Sequence, residues 1–169
     1  MFRTLASYEA DQLGLPYPVT LIEGAEEEFD DATGERTGIS IPDLDELVIM
    51  IALSRAMFSV QLTGGEVKFM RQVIGMSQKA FAEGIAVDPA TLSRWENGKI
   101  EVGEWADKAV RMAVVLAAPA LLPGMFIDGL DVVKLRITKR STDAIPKIVV
   151  RRTSQAADAR WDRPALMAA

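Results

Sequence analysis

The chain of 169 residues contains neither histidine nor cysteine, the side chains that proteins most often use as general bases, thiol nucleophiles and zinc ligands. Catalysis would have to rely on carboxylates, lysine, tyrosine or serine, and only an all-oxygen site could hold Mg²⁺ or Ca²⁺. The sequence shows no paired carboxylates in a recognisable catalytic spacing and no phosphate-binding glycine loop. We therefore expect no enzyme activity, no catalytic residue, no cofactor and no metal site.

A second group of side chains, between Ser77 and Gly98, is suited to recognition rather than to catalysis. The segment reads SQKAFAEGIAVDPATLSRWENG. It contains Arg94, whose planar guanidinium can donate two parallel hydrogen bonds. Bidentate donation to guanine is the commonest specific contact between a protein and DNA. The segment could therefore read base edges, provided that helices hold it in a major groove.

Four short predicted helices position this segment. Thr63 can cap the first helix in a capping box, and Ser77 can cap the second. Asp88 can cap the third helix, which Gly98 ends in a left-handed conformation. The fourth helix is predicted from about residue 103 to 116. Its apolar stripe is expected to comprise Trp105, Ala109, Met112 and Val115.

The segment resembles the Cro/repressor class of helix-turn-helix proteins, also called the xenobiotic-response-element (XRE) class. The matching residues are Ser77-Gln78, Phe81-Ala82, Val87, Asp88, Leu92-Ser93 and Trp95-Glu96-Asn97-Gly98. That class usually has glycine where Ala86 stands, so we expect the turn to be slightly remodelled or strained by ~1–2 kcal/mol. The resemblance implies a DNA-binding domain in which Glu96 serves a network within its own domain.

The resemblance also implies which residues face DNA. The class places positions matching Ala90 and Arg94 at bases, and the position matching Gln78 at bases or backbone. Pro89 offers an apolar contact and Ser93 can reach either base or phosphate. The predicted DNA-binding residues are Gln78, Lys79, Pro89, Ala90, Thr91, Ser93, Arg94 and Lys99. The plainer alternatives are that the cationic side chains are simply solvated and that the glutamine serves only the helix start.

The rest of the chain is predicted to contain one further helix and small β parts. Residues 17–22 and 39–41 could pair across an acidic loop, and a helix capped by Asp43 follows at about 44–58. Residues 133–137 and 147–153 are expected to form a short C-terminal β-hairpin. The predicted fold is mainly α with small β parts: a four-to-five-helix helix-turn-helix domain, an α+β N-terminal segment and that hairpin.

Charge is distributed unevenly along the chain. Residues 1–62 carry 3 basic and 12 acidic side chains, residues 63–112 carry 7 of each, and residues 113–169 carry 9 basic and 5 acidic. An acidic first part suits a basic protein partner, whereas Arg136, Lys139 and Arg140 in the last part could contact phosphates. The opposite charges could equally pair with each other.

These observations predict three domains. Residues 1–60 are expected to form an acidic dimerisation or partner-binding region, and residues 61–118 the helix-turn-helix DNA-binding domain. Residues 119–169 would form basic strands and a frayed tail that includes Trp161.

A wider resemblance concerns the order of these parts. A β-type N-terminal part and a connecting helix precede LTGGE at 62–66 and FMR at 69–71, an order similar to MqsA-like antitoxins. Many of those relatives carry a cysteine-based zinc domain, which this chain cannot form.

The predicted function is a sequence-specific DNA-binding transcriptional regulator, a repressor that acts as a homodimer on a palindromic operator. The alternative is an antitoxin that neutralises a protein toxin and autoregulates its operon. The sequence leaves open whether a small-molecule inducer controls the regulator. With no signal peptide or membrane span in the sequence, we expect a cytoplasmic, nucleoid-associated protein.

Overall fold

A computed structural model describes residues 1–141, 147–153 and 161–162, which divide into two compact units. Unit 1 contains residues 1–50, 147–153 and 161–162, and unit 2 contains residues 51–141. The division falls inside helix α1 (Leu44–Ala56). Within the described ranges, no helix is long and apolar enough to cross a membrane.

Unit 1 is built around a four-stranded sheet. Its strands are β1 (Phe2–Glu9), β2 (Val19–Phe29), β3 (Arg36–Ser40) and β4 (Ile148–Arg151). The long strand β2 pairs antiparallel with β1 along one edge. On its other edge it pairs parallel with β4 near its start and antiparallel with β3 near its end. Fully buried residues of β2 and β4, such as Leu21 and Val150, form the core, and burial alternates along β4.

The structure confirms the mainly α fold with small β parts and a C-terminal strand, but it corrects the predicted pairing. The C-terminal strand β4 joins β2 rather than forming a hairpin. Residues 133–137 are not a strand, because α6 (Gly129–Lys134) occupies the first of them. Asp128 caps that helix by accepting a hydrogen bond from the Leu130 amide. The alternation of apolar and basic residues at 133–137 therefore did not indicate a strand.

Strand β1 was not predicted, since most of its residues are exposed and it lacks an alternating pattern. The predicted acidic loop is also shorter than expected, because β2 continues to Phe29. The turn that remains is organised by Asp30, whose carboxylate accepts hydrogen bonds from the amides of Ala32 and Thr33. These contacts hold the pKa of Asp30 below its ordinary value.

Unit 2 is helical. After the end of α1 it contains α2 (Gly64–Val73), α3 (Gln78–Gly84), α4 (Pro89–Glu96), α5 (Glu104–Leu121) and α6. The predicted caps of α2, α3 and α4 are confirmed: Thr63 and Glu66 form a capping box, and Ser77 and Asp88 accept hydrogen bonds from the first turns of α3 and α4. Asp43, predicted to cap α1, instead has a φ of 51° and its carboxylate accepts from Arg152. Fully buried side chains from four helices form the core, including Met70, Phe81, Leu92 and Val110.

Two tryptophans lie where the sequence did not place them. Trp105 was predicted in the core of the fourth helix, but its side chain is 63% exposed. Trp161 was predicted in a frayed tail, but it is 3% exposed within unit 1. Its indole N–H donates to the Asp43 carbonyl at 3.2 Å, and its ring lies so close to Gly24 that a Cβ there would clash at 2.4 Å.

Candidate nucleic-acid interface

The turn between α3 and α4 sets the position of the candidate recognition helix. Ala86 adopts a φ of 55°, so the expected left-handed strain is present in the turn. The next amide, that of Val87, donates to the Ala82 carbonyl at 2.9 Å. Asp88 then begins α4 and accepts from the amide of Ala90 at 2.8 Å. Pro89 at the first helical position needs no partner for an N–H.

The structure leaves most of the predicted contact residues accessible. The exposed ones are Lys79, Pro89, Ala90, Arg94 and Lys99, while Gln78, Thr91 and Ser93 are half-buried. Ala90 and Arg94 are four residues apart on α4 and therefore share one face of that helix. Lys79 lies 4.0 Å from Glu83 on the exposed side of α3, an ion pair that contributes little to stability.

Two of the half-buried residues are also engaged within the domain. Gln78 Nε2 donates to Glu96 Oε2 at 3.0 Å, and the carbonyl of Ser93 accepts from Asn97 Nδ2 at 2.7 Å. A glutamine amide has a second N–H and a carbonyl oxygen, so the bond to Glu96 orients Gln78 and leaves groups for a ligand.

The carboxylate of Glu96 joins three helices. Arg71 Nε lies 2.6 Å from Glu96 Oε1, and Arg71 Nη2 donates to Glu96 Oε2 at 3.0 Å. The same guanidinium donates from Nη1 to the Met76 carbonyl at 2.8 Å. We call Arg71, Gln78 and Glu96 the Glu96 cluster. It ties α2 and its following turn to the start of α3 and the end of α4, which is the structural role predicted for Glu96.

Gly64 allows α2 to start directly against the end of α4. A Cβ at this position would lie 1.6 Å from the carbonyl oxygen of Trp95. Only glycine permits this approach of the two backbones. Gly64 in the LTG run at 62–64 is therefore explained by packing inside the helix-turn-helix domain.

A second, fully buried charged cluster was missed by the sequence reasoning. Arg55, Glu66, Asp107 and Arg111 are each at most 1% exposed. Arg55 Nε donates to Glu66 Oε1 at 2.8 Å, and Arg111 Nε pairs with Asp107. We call these four residues the linker cluster. The available signal was the spacing of Asp107 and Arg111, which are four residues apart among buried alanine and valine on α5.

The linker cluster holds the chain between α1 and α2. Arg111 Nη2 and Arg55 Nη2 both donate to the Val60 carbonyl, at 2.8 and 2.9 Å. Asp107 Oδ2 accepts from the Leu62 amide at 2.6 Å. The buried charges thus satisfy backbone groups that would otherwise be buried without partners.

Burial and pairing act in opposite directions on this cluster. Burial would raise the pKa of Glu66, but hydrogen bonds and charges from Arg55, a bond from Thr63 and the charge of Arg140 outweigh it and lower that pKa. Arg140 Nη2 donates to Glu66 Oε2 at 2.6 Å. For Arg111, burial lowers the pKa of the guanidinium, and the contact with Asp107 opposes that shift.

Residues 67–103 match the helix-turn-helix family model. The match spans most of α2, both helices around the Ala86 turn and the loop before α5. It identifies an XRE-type helix-turn-helix domain, the DNA-binding domain of a class of transcriptional regulators that are typically not enzymes. No curated protein and no solved structure matches the chain.

Proposed function

We propose that the protein is a sequence-specific transcriptional repressor that inserts α4 into the major groove. One observation carries this proposal: within the helix-turn-helix match, α4 exposes Ala90 and Arg94 on one face. Arg94 would donate to guanine O6 and N7, while Pro89 and Ala90 would contact thymine methyl groups.

The residues beside this face would fix the register on the backbone. Lys79, Thr91 and Lys99 are proposed as phosphate contacts, and Ser93 as a contact to base or phosphate. Gln78 would reach the backbone or a base from the start of α3 while Glu96 holds its amide. Such contacts orient a protein on the duplex but carry little sequence information.

The proposed operator is palindromic and is bound by a homodimer. One such module reads few base pairs, whereas a two-fold dimer reads two half-sites about 34 Å apart. The test is binding to DNA from the protein's own promoter region, at two salt concentrations and against random DNA. Preference for the promoter supports the proposal, and binding that salt abolishes equally on both DNAs contradicts it.

A matched pair of variants tests the recognition helix. Arg94→Ala should weaken operator binding by ~1–3 kcal/mol and relax specificity at one base pair per half-site. Arg94→Lys keeps the charge but loses the planar pair of donors, so it should restore non-specific affinity without restoring base preference. Unchanged specificity in both variants would show that α4 is not the recognition helix.

The basic segment after α6 is proposed as a further phosphate contact. Arg136 and Lys139 are exposed, whereas Arg140 is already bound to Glu66. Replacing Arg136, Lys139 and Arg140 by alanine should flatten the salt dependence of binding. Since the Arg140 change also disturbs Glu66, the Arg136→Ala/Lys139→Ala pair is the cleaner variant, and an unchanged slope rejects this contact.

A second candidate function is that of an antitoxin, as the resemblance to MqsA-like proteins implies. The observation in its favour is the acidic end of the sheet in unit 1, where Glu28, Asp30, Asp31 and Glu35 are exposed. An acidic surface suits a basic partner such as a toxin that acts on RNA. Co-expression with a toxin encoded beside it should restore growth, and replacing the four acids by their amides should abolish that rescue.

A further inference from the structure

The outer face of α5 is apolar, although its inner face already supplies the core of unit 2. Val110 and Val114 on the inner face are buried, whereas Trp105 and Leu116 on the outer face are 63% and 71% exposed. The positions between them on the outer face are Ala109, Met112 and Ala113. A helix that is apolar on both faces is normally covered on both.

Helix α6 extends the same apolar surface. Its backbone lies beside α5, because Lys108 Nζ donates to the Val133 carbonyl at 3.1 Å and a Cβ on Gly129 would come within 3.1 Å of Met112 Sδ. Phe126, just before it, is exposed, as are Leu130 and Val133. We call this surface the α5–α6 face; it comprises Trp105, Leu116, Phe126, Leu130 and Val133.

We propose that the α5–α6 face binds a second copy of this chain. The inference rests on the proposed repressor, which needs a dimer, and adds the surface that forms it. The five exposed side chains offer roughly 600 Å² of apolar surface, since large aromatic side chains bury about 150–250 Å² each. A standard interface buries about 800 Å² on each partner, so this face could supply most of one side.

The order of large and small residues on α5 suits contact with an identical helix. In the proposed dimer, two antiparallel α5 helices would cross between residues 110 and 111. Trp105 then faces Leu116 of the partner subunit on either side of the crossing point. A two-fold axis repeats each contact, so one pattern serves both sides of the interface. The small side chains of Ala109 and Ala113 would let the two helices approach closely.

The experiment is sedimentation of the full chain without DNA across the micromolar range. The wild-type protein should sediment at twice the chain mass of 18.4 kDa. Leu116→Glu places a charge opposite Trp105 of the partner subunit and should raise the dimer dissociation constant by roughly thirtyfold or more. Trp105→Ala, which adds no charge, should weaken the dimer in the same direction.

Leu44→Glu is the matched control, because it makes the same change at an exposed leucine of α1, in a first helical turn that favours glutamate. It should leave the dimer intact, and far-UV circular dichroism should show all variants folded. A monomeric wild-type chain, or a dimer that survives both face variants, overturns the proposal. A dimer that depends on Leu116 but never prefers promoter DNA would reject the repressor function instead, leaving the face in place.

Discussion

The two ion-pair clusters of unit 2 use the same chemistry for different purposes. Each joins arginine to a carboxylate from another turn or helix. In the Glu96 cluster, the Arg71 side chain keeps 11% of its surface exposed, and the partners belong to the helices around the recognition turn. In the linker cluster, Arg55 and Arg111 are at most 1% exposed, and most of their hydrogen bonds are donated to backbone carbonyls.

This difference indicates which cluster should control the stability of the domain and which should influence the DNA-contact residues. A fully buried pair gains little over well-packed apolar residues, but removing one partner leaves a charge without compensation. The linker cluster is therefore expected to govern folding of the domain. The Glu96 cluster lies nearer the surface and includes Gln78, so it is expected to affect both folding and DNA binding.

The largest effect is expected from Arg111→Met. The change leaves Asp107 charged and buried and removes the donors to Ala56 and Val60, so the free energy of unfolding should fall by about 3–5 kcal/mol. Urea unfolding measures it. Lys108→Met, three residues earlier on α5, removes a weak pair with Glu104 and one hydrogen bond to the Val133 carbonyl, and it should cost only about 1 kcal/mol. Equal losses in the two variants would show that the buried cluster has no special role.

Gly64→Ala should have the next largest effect, because the added methyl group forces apart the backbones at the start of α2 and the end of α4. The new methyl group would overlap the Trp95 carbonyl, and we expect a loss of about 2 kcal/mol. Gly65→Ala is the control, as its Cβ would meet nothing closer than Thr63 Oγ1 at 3.9 Å. That variant should be neutral or up to about 0.5 kcal/mol more stable.

Glu96→Gln should cost about 1.5 kcal/mol of unfolding free energy, since it replaces a charged acceptor of Arg71 by a neutral one. It should also weaken operator binding, because Gln78 loses part of its anchor. Arg94→Ala provides the contrast, with weaker binding at unchanged stability. If Glu96→Gln lowers stability but leaves operator binding unchanged, the role of Gln78 at DNA does not depend on its hydrogen bond to Glu96.

The smallest effect is a pH dependence carried by Glu66. Its pKa in the folded chain lies below the ordinary value of 4.5, so its contribution to stability is present above pH 4.5 and is lost as the pH falls through the lowered pKa. Urea unfolding of wild type and Glu66→Gln at several pH values should show a stability difference that shrinks in acid. A difference between wild type and Glu66→Gln that stays the same from neutral to acid pH would contradict this contribution.

Local signals in the sequence were sufficient to predict the helix-turn-helix elements. Thr63, Ser77 and Asp88 act on amides within three residues of themselves, so their roles depend on short spacings alone. The left-handed conformation of Ala86 was expected from the resemblance to the Cro/repressor class, which usually has glycine there, and it is present in the structure. The DNA-contact residues stay predictions, because their exposure shows only that they are accessible to DNA.

What the sequence determined by itself was the caps of α2, α3 and α4 and the exposed face of α4, since each is set by neighbours along the chain. Only the tertiary structure decided that Arg55 and Arg111 are buried and that Trp105 is exposed while Trp161 is not. The physical reason is that burial depends on partners far away in sequence. Arg111 is buried because the chain between α1 and α2 supplies carbonyls to it, and Trp161 because Gly24 leaves room for its ring.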